Sequence, residues 1–83
     1  MQQVARTPKQ LGSLLRQRRR ELGLSQGTLA AQIGLRQSTI SELETSVKAA
    51  KTGTLLSVLA ALDLELVIRS RTKSSEKDIE AFF

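Results

Sequence analysis

The sequence predicts an all-α domain of four helices followed by one C-terminal β-strand that pairs across a homodimer. Three observations lead there. Apolar residues recur at helical spacing from Leu11 to Leu62, polar helix starts and Gly stops punctuate that run, and the period changes to two after Asp63. At 83 residues the chain fits one small domain. Residues 1–6 are expected to form a flexible arm, 7–71 a single folded and dimerising domain, and 72–83 a disordered tail.

The first helix is read at 8–22. Thr7 serves as N-cap, Pro8 takes the first helical position, and Gln10 stands where a capping box wants Glu or Gln. Leu11, Leu14, Leu15 and Leu22 form its apolar stripe, and Gly23 stops it. Ser25 caps a short second helix whose apolar face is Leu29, Ala30 and Ile33, closed by Gly34. A third helix from Gln37 to Glu44 buries Ile40 and Leu43 and turns Gln37, Ser38, Ser41 and Glu42 outward. Two short helices joined by a tight Gly-containing turn make a helix-turn-helix.

After a polar connection carrying Lys48 and Lys51, Thr52 is expected to cap a fourth helix. Leu55, Leu56, Val58, Leu59 and Leu62 make it apolar on more than one side. Then Leu64, Leu66 and Ile68 alternate with Glu65, Val67 and Arg69 as a strand. A lone strand has no partner in its own chain, so it is expected to pair with its copy in a second subunit. An antiparallel register centred on Val67 sets Glu65 opposite Arg69 of the other chain.

Composition narrows the chemistry. The chain has no His, Cys, Trp or Tyr, so disulfides, thiolate or imidazole metal sites and His-dependent triads are unavailable. The two Phe are the last two residues, which leaves the core to fourteen Leu, four Ile, four Val and eight Ala and removes any stacking platform for single strands. No pair of carboxylates is poised in a buried site, so neither an enzyme nor a cofactor is expected. The net charge of +5 is uneven: residues 1–71 hold eleven Lys/Arg against five Asp/Glu, and 72–83 hold two against three. A basic domain suggests a polyanionic partner. With no apolar stretch near the roughly 18 residues of a membrane span and no signal peptide, a cytoplasmic protein without membrane contact is expected.

Leu22-Gly23-Leu24-Ser25-Gln26, Leu29-Ala30, Ile33-Gly34-Leu35 and Gln37-Ser38-Thr39-Ile40-Ser41-Glu42-Leu43-Glu44 together resemble the helix-turn-helix of the phage-repressor and xenobiotic-response-element (XRE) family, over residues 8–62. The resemblance implies a lambda-repressor-like fold that binds double-stranded DNA. The helix from Gln37 is then the recognition helix, Gln26 anchors a phosphate, and Arg19 pairs with Glu44 as a structural link. Side-chain chemistry agrees with those roles. Arg36 can bond guanine and Gln37 adenine bidentately, and Ser38 and Ser41 can donate or accept, which makes these four the base readers. Gln26, Thr39, Lys48 and Lys51 are the phosphate contacts. Glu42 is repelled by phosphate unless it accepts from a cytosine amino group. Arg18 and Arg20 diverge from Arg19 by about 100° each and are expected in solvent.

A four-helix reader followed by Leu64-Glu65-Leu66-Val67-Ile68-Arg69 is similar to the HipB-type antitoxins. That resemblance implies a homodimer on an inverted-repeat operator, autoregulation, and a HipA-type Ser/Thr kinase toxin as partner. On this reading Phe82 and Phe83 are spare apolar surface that can dock into a partner's pocket. The alternatives are a stand-alone repressor without a toxin, and a protein-interaction module with a degenerate reader.

Overall fold

The computed structural model describes residues 3–71. Among them lie four helices and no strand: α1 Pro8–Glu21, α2 Gln26–Gln32, α3 Gln37–Thr45 and α4 Thr52–Ala61. The tail with Phe82 and Phe83 lies outside the described residues.

Local chemistry starts α1 and α2 as the sequence predicts. Thr7 Oγ1 accepts the Gln10 N–H at 3.0 Å with Pro8 following it, and Ser25 Oγ accepts the Thr28 N–H at 3.0 Å. Gln10 Oε1 accepts the Arg6 N–H at 2.7 Å, one residue earlier in the chain than a strict capping box. The starts of α3 and α4 differ. Their cap residues are Arg36 and Lys51, and neither makes a side-chain cap bond. Thr52, expected as the cap of the fourth helix, is instead its first helical residue.

Three helices end on one device. After α1, α2 and α4 the chain enters the left-handed region at Gly23, Gly34 and Asp63, with φ of 71°, 67° and 57°. The next residue then donates back across the turn: Leu24 to the Arg19 carbonyl at 3.1 Å, Leu35 to Ala30 at 2.9 Å, and Leu64 to Leu59 at 2.8 Å. With the companion bonds from Gly23, Gly34 and Asp63, these are Schellman motifs, and each closing leucine packs on the core. The two glycines were legible as stops. Asp63 is not Gly, yet its short polar side chain is one of the few that tolerate this region.

The core is Leu15 from α1, Leu29 and Ala30 from α2, Ile40 and Leu43 from α3, and Val58, Leu59 and Leu62 from α4 and its cap. Two leucines assigned to apolar stripes are exposed. Leu22 is 41% exposed because α1 stops at Glu21, and Leu56 is 44% exposed on the outer side of α4. Arg18 corrects the expectation in the other direction. Its Nε donates to the Leu62 carbonyl at 3.0 Å, and its guanidinium lies 3.6 Å from Glu21 and 3.8 Å from Asp63. A cation therefore meets the negative end of α4 rather than solvent. Arg20 is exposed, as expected.

Residues 64–71 carry no regular secondary structure in the single chain. Leu64 packs on the core, whereas Leu66, Val67 and Ile68 are exposed, so the alternation of Leu64, Leu66 and Ile68 with Glu65, Val67 and Arg69 does not yet separate an inner from an outer face. A strand ladder is defined by bonds to a neighbouring strand, and there is no strand among the described residues.

α1 packs across α3 at Gly12, a residue the sequence did not single out. A Cβ there would lie 2.5 Å from the Leu43 carbonyl oxygen and 2.9 Å from that of Glu44. Val47, just past α3, also donates to the Pro8 carbonyl at 3.2 Å, so the two helices meet backbone to backbone. Gly12→Ala should therefore lower stability by about 1–3 kcal/mol, the usual range for overpacking, despite alanine's better helix propensity. Urea denaturation checks this, and an unchanged or raised midpoint would contradict it.

Candidate nucleic-acid interface

The site is held from beneath by Arg19. Seven residues past Gly12 on the same side of α1, it reaches the buried carboxylate of Glu44 near the end of α3. Nε donates to Glu44 Oε2 at 2.6 Å and Nη2 to Oε1 at 3.0 Å, a two-pronged pairing in which both residues are buried. Nη1 donates to the Leu24 carbonyl at 2.7 Å, immediately before the cap of α2. The pair read from the resemblance is thus present. One guanidinium ties α1 to α3 and to the entry of α2.

Gln26 completes the network. At the first position of α2, its Nε2 donates to Glu44 Oε1 at 3.2 Å. Burial works against the charge on Glu44, but the bonds from Arg19 and Gln26 and the positive charges of Arg19 and Arg16 outweigh it. The carboxyl is held below its ordinary value of 4.5. Arg19 is shifted up, chiefly by its hydrogen bond to Glu44. Arg16, exposed on α1 one turn before Arg19 and Arg20, was not singled out in the sequence.

The outward face follows from this frame. Arg36, Gln37, Ser38 and Ser41 are all exposed, at the cap, in the first turn and one turn later. Helical spacing gathers Gln37, Ser38 and Ser41 on one side of α3. The first turns of α2 and α3 are contiguous there: a Cβ on Gly27 would lie 3.7 Å from Gln37 Oε1. Thr39 is half-buried and faces a different neighbour. It shares a small groove with Glu42, Ser46, Lys51 and Thr54, which brings Thr39 and Lys51 together at the α3–α4 connection. Lys48 is exposed beside that groove's Ser46, whose Oγ accepts the Lys48 N–H at 3.3 Å.

A family model described as "Helix-turn-helix" matches residues 15–68. The chain belongs to the XRE-type helix-turn-helix family. Solved structures sharpen the likeness. HipB in a complex with an O4 20mer is 28% identical, with a TM-score of 0.79 over 86% of this chain and 100% of that one. A HipB variant in a complex with an O2 20mer is also 28% identical, with a TM-score of 0.80 over 87% and 100%. A HipA–HipB–O2–O3 complex gives 28% identity and a TM-score of 0.79 over 86% and 100%. No curated protein sequence matches the chain. In this XRE-type domain no helix among the described residues is long and apolar enough to cross a membrane.

Glu44→Ala would strip a buried guanidinium of its partner and release Gln26 together with it. A loss of about 3–5 kcal/mol is expected by urea denaturation, because a buried charge left unpaired is expensive. Acid should act on the same link. A carboxyl whose folded pKa lies below its unfolded one stabilises the fold at neutral pH. That contribution fades as pH falls below the ordinary 4.5 and through the lowered folded value. Glu44→Gln should lack this portion of the acid-induced loss of stability, measured as the difference between the two pH profiles.

Proposed function

We propose that this XRE-type repressor binds an inverted-repeat operator as a homodimer and is the antitoxin of a HipA-type Ser/Thr kinase toxin, repressing its own operon and sequestering the kinase. The observation that carries the DNA reading is the exposed row Gln37, Ser38 and Ser41 beside Arg36, set against the first turn of α2. Arg36, Gln37, Ser38 and Ser41 read base edges, and Gln26, Thr39, Lys48 and Lys51 hold phosphates. The likeness to HipB in its O2 and O4 complexes supports the operator, and the HipA–HipB–O2–O3 complex supports the kinase.

Dimerisation is supported by surface that the single chain leaves bare. Val67 and Ile68 are 64% and 93% exposed, Leu66 is also exposed, and Leu56 on α4 is uncovered. Pairing Leu64–Arg69 with its copy satisfies the backbone of the segment and covers its apolar side chains. Two recognition helices related by a two-fold axis then fit successive major grooves about 34–36 Å apart. The protein acts by occupying DNA and protein surfaces, and performs no chemical step of its own. Phe82 and Phe83 are assigned to the kinase's pocket.

Against an operator library, Gln37→Ala should relax preference at one position per half-site, at a cost of about 1–3 kcal/mol. Lys51→Ala should instead weaken all sequences alike. Identical behaviour of the two variants would remove the division between readers and clamps, and no sequence-selective binding by the parent protein would favour a degenerate reader. Val67→Pro should yield monomers by light scattering. Co-purification with the product of an adjacent kinase gene, lost when residues 74–83 are deleted but with DNA affinity kept, is the expected result for the toxin partner.

A further inference from the structure

Gln26 is not free to choose its own orientation. The group it faces, Glu44, is an ionised carboxylate that accepts hydrogen bonds and cannot donate them, so only the NH2 edge of the amide can turn inward. The carboxylate cannot swing to follow Gln26 either. Its two oxygens are taken by Arg19 Nε and Nη2, and Arg19 is itself fastened to the Leu24 carbonyl. A rigid acceptor beneath the first turn of α2 therefore fixes a side chain that is half-buried and would otherwise sample several rotamers.

We propose that Glu44, besides holding Arg19, is the positioning residue for Gln26: it engages one amide proton and leaves the other presented to a phosphate of the DNA backbone. This rests on the DNA-binding reading above. The buried ion pair then contributes to affinity through a contact it does not itself make. Because that contact is to the backbone, its loss is felt on any duplex, whatever its sequence.

The experiment measures affinity for a duplex of random sequence with the full chain, Gln26→Ala, Glu44→Gln and the double variant, each verified as folded by circular dichroism at the assay temperature. Gln26→Ala and Glu44→Gln should each weaken binding by about tenfold at a fixed salt concentration, and the double variant should be no weaker than either one. In the unaltered protein, the side-chain amide protons of Gln26 should exchange with water more slowly than those of exposed Gln37 by NMR. A folded Glu44→Gln with full affinity, or losses that multiply in the double variant, overturns the proposal. Should Glu44→Gln fail to fold, the exchange measurement decides, and equal exchange at Gln26 and Gln37 overturns it. A protected Gln26 amide with no loss in Gln26→Ala removes the phosphate role and the proposal with it. If the unaltered chain binds no duplex at all, the DNA-binding reading itself has failed.

Discussion

The Arg19–Glu44 ion pair is the constraint on which the reader's geometry depends. α3 is only nine residues long, too short to hold a helical conformation by itself in water, and its outer face must stay polar to meet a partner. Its fixed position therefore comes from beneath. Ile40 and Leu43 supply apolar burial without direction, whereas the two-pronged guanidinium–carboxylate contact supplies direction. Replacing such a pair by apolar residues can leave stability unchanged in other proteins, so burial alone does not require a charged pair at this position. The approach at Gly12 is part of the same arrangement, because Arg19 can reach Glu44 in this geometry only if α1 lies directly on the backbone of α3.

Much of this was legible in the sequence because short-range rules set it. Thr7-Pro8, Ser25, Gly23 and Gly34 carry their meaning within a few residues, and the apolar spacing placed all eight core side chains. Gly12 was not legible, since a helical glycine looks like a weakness until the opposing carbonyls are seen. Arg18 was misjudged for a similar reason. Its partner is the end of α4, 44 residues away, and a basic residue in an arginine run gives no hint of it. The link from Gln26 to Glu44 also joins distant positions, and local chemistry could assign Gln26 only to an outside phosphate. Thr52 and Lys51 differ from expectation by a single residue, the scale on which helix starts are least determined when no side chain closes the first turn.

The surface divides along α1. Consecutive residues Arg18 and Arg19 reach different partners, one the terminus of α4 and Asp63, the other α3 and the start of α2. The bare apolar residues Leu66, Val67 and Ile68 lie beyond the first, and the polar row Gln37, Ser38 and Ser41 beyond the second.

The three Schellman turns bear on how quickly the domain assembles. Each fixes the direction in which the chain leaves a helix through bonds closed within six residues, so the exits of α1, α2 and α4 are set before distant segments meet. Short connections and local stops keep the conformational search small, and helical domains of this kind fold in microseconds to milliseconds. For a chain of 83 residues in which Leu66, Val67 and Ile68 are exposed, rapid closure of the rest shortens the time during which its core is also open to aggregation.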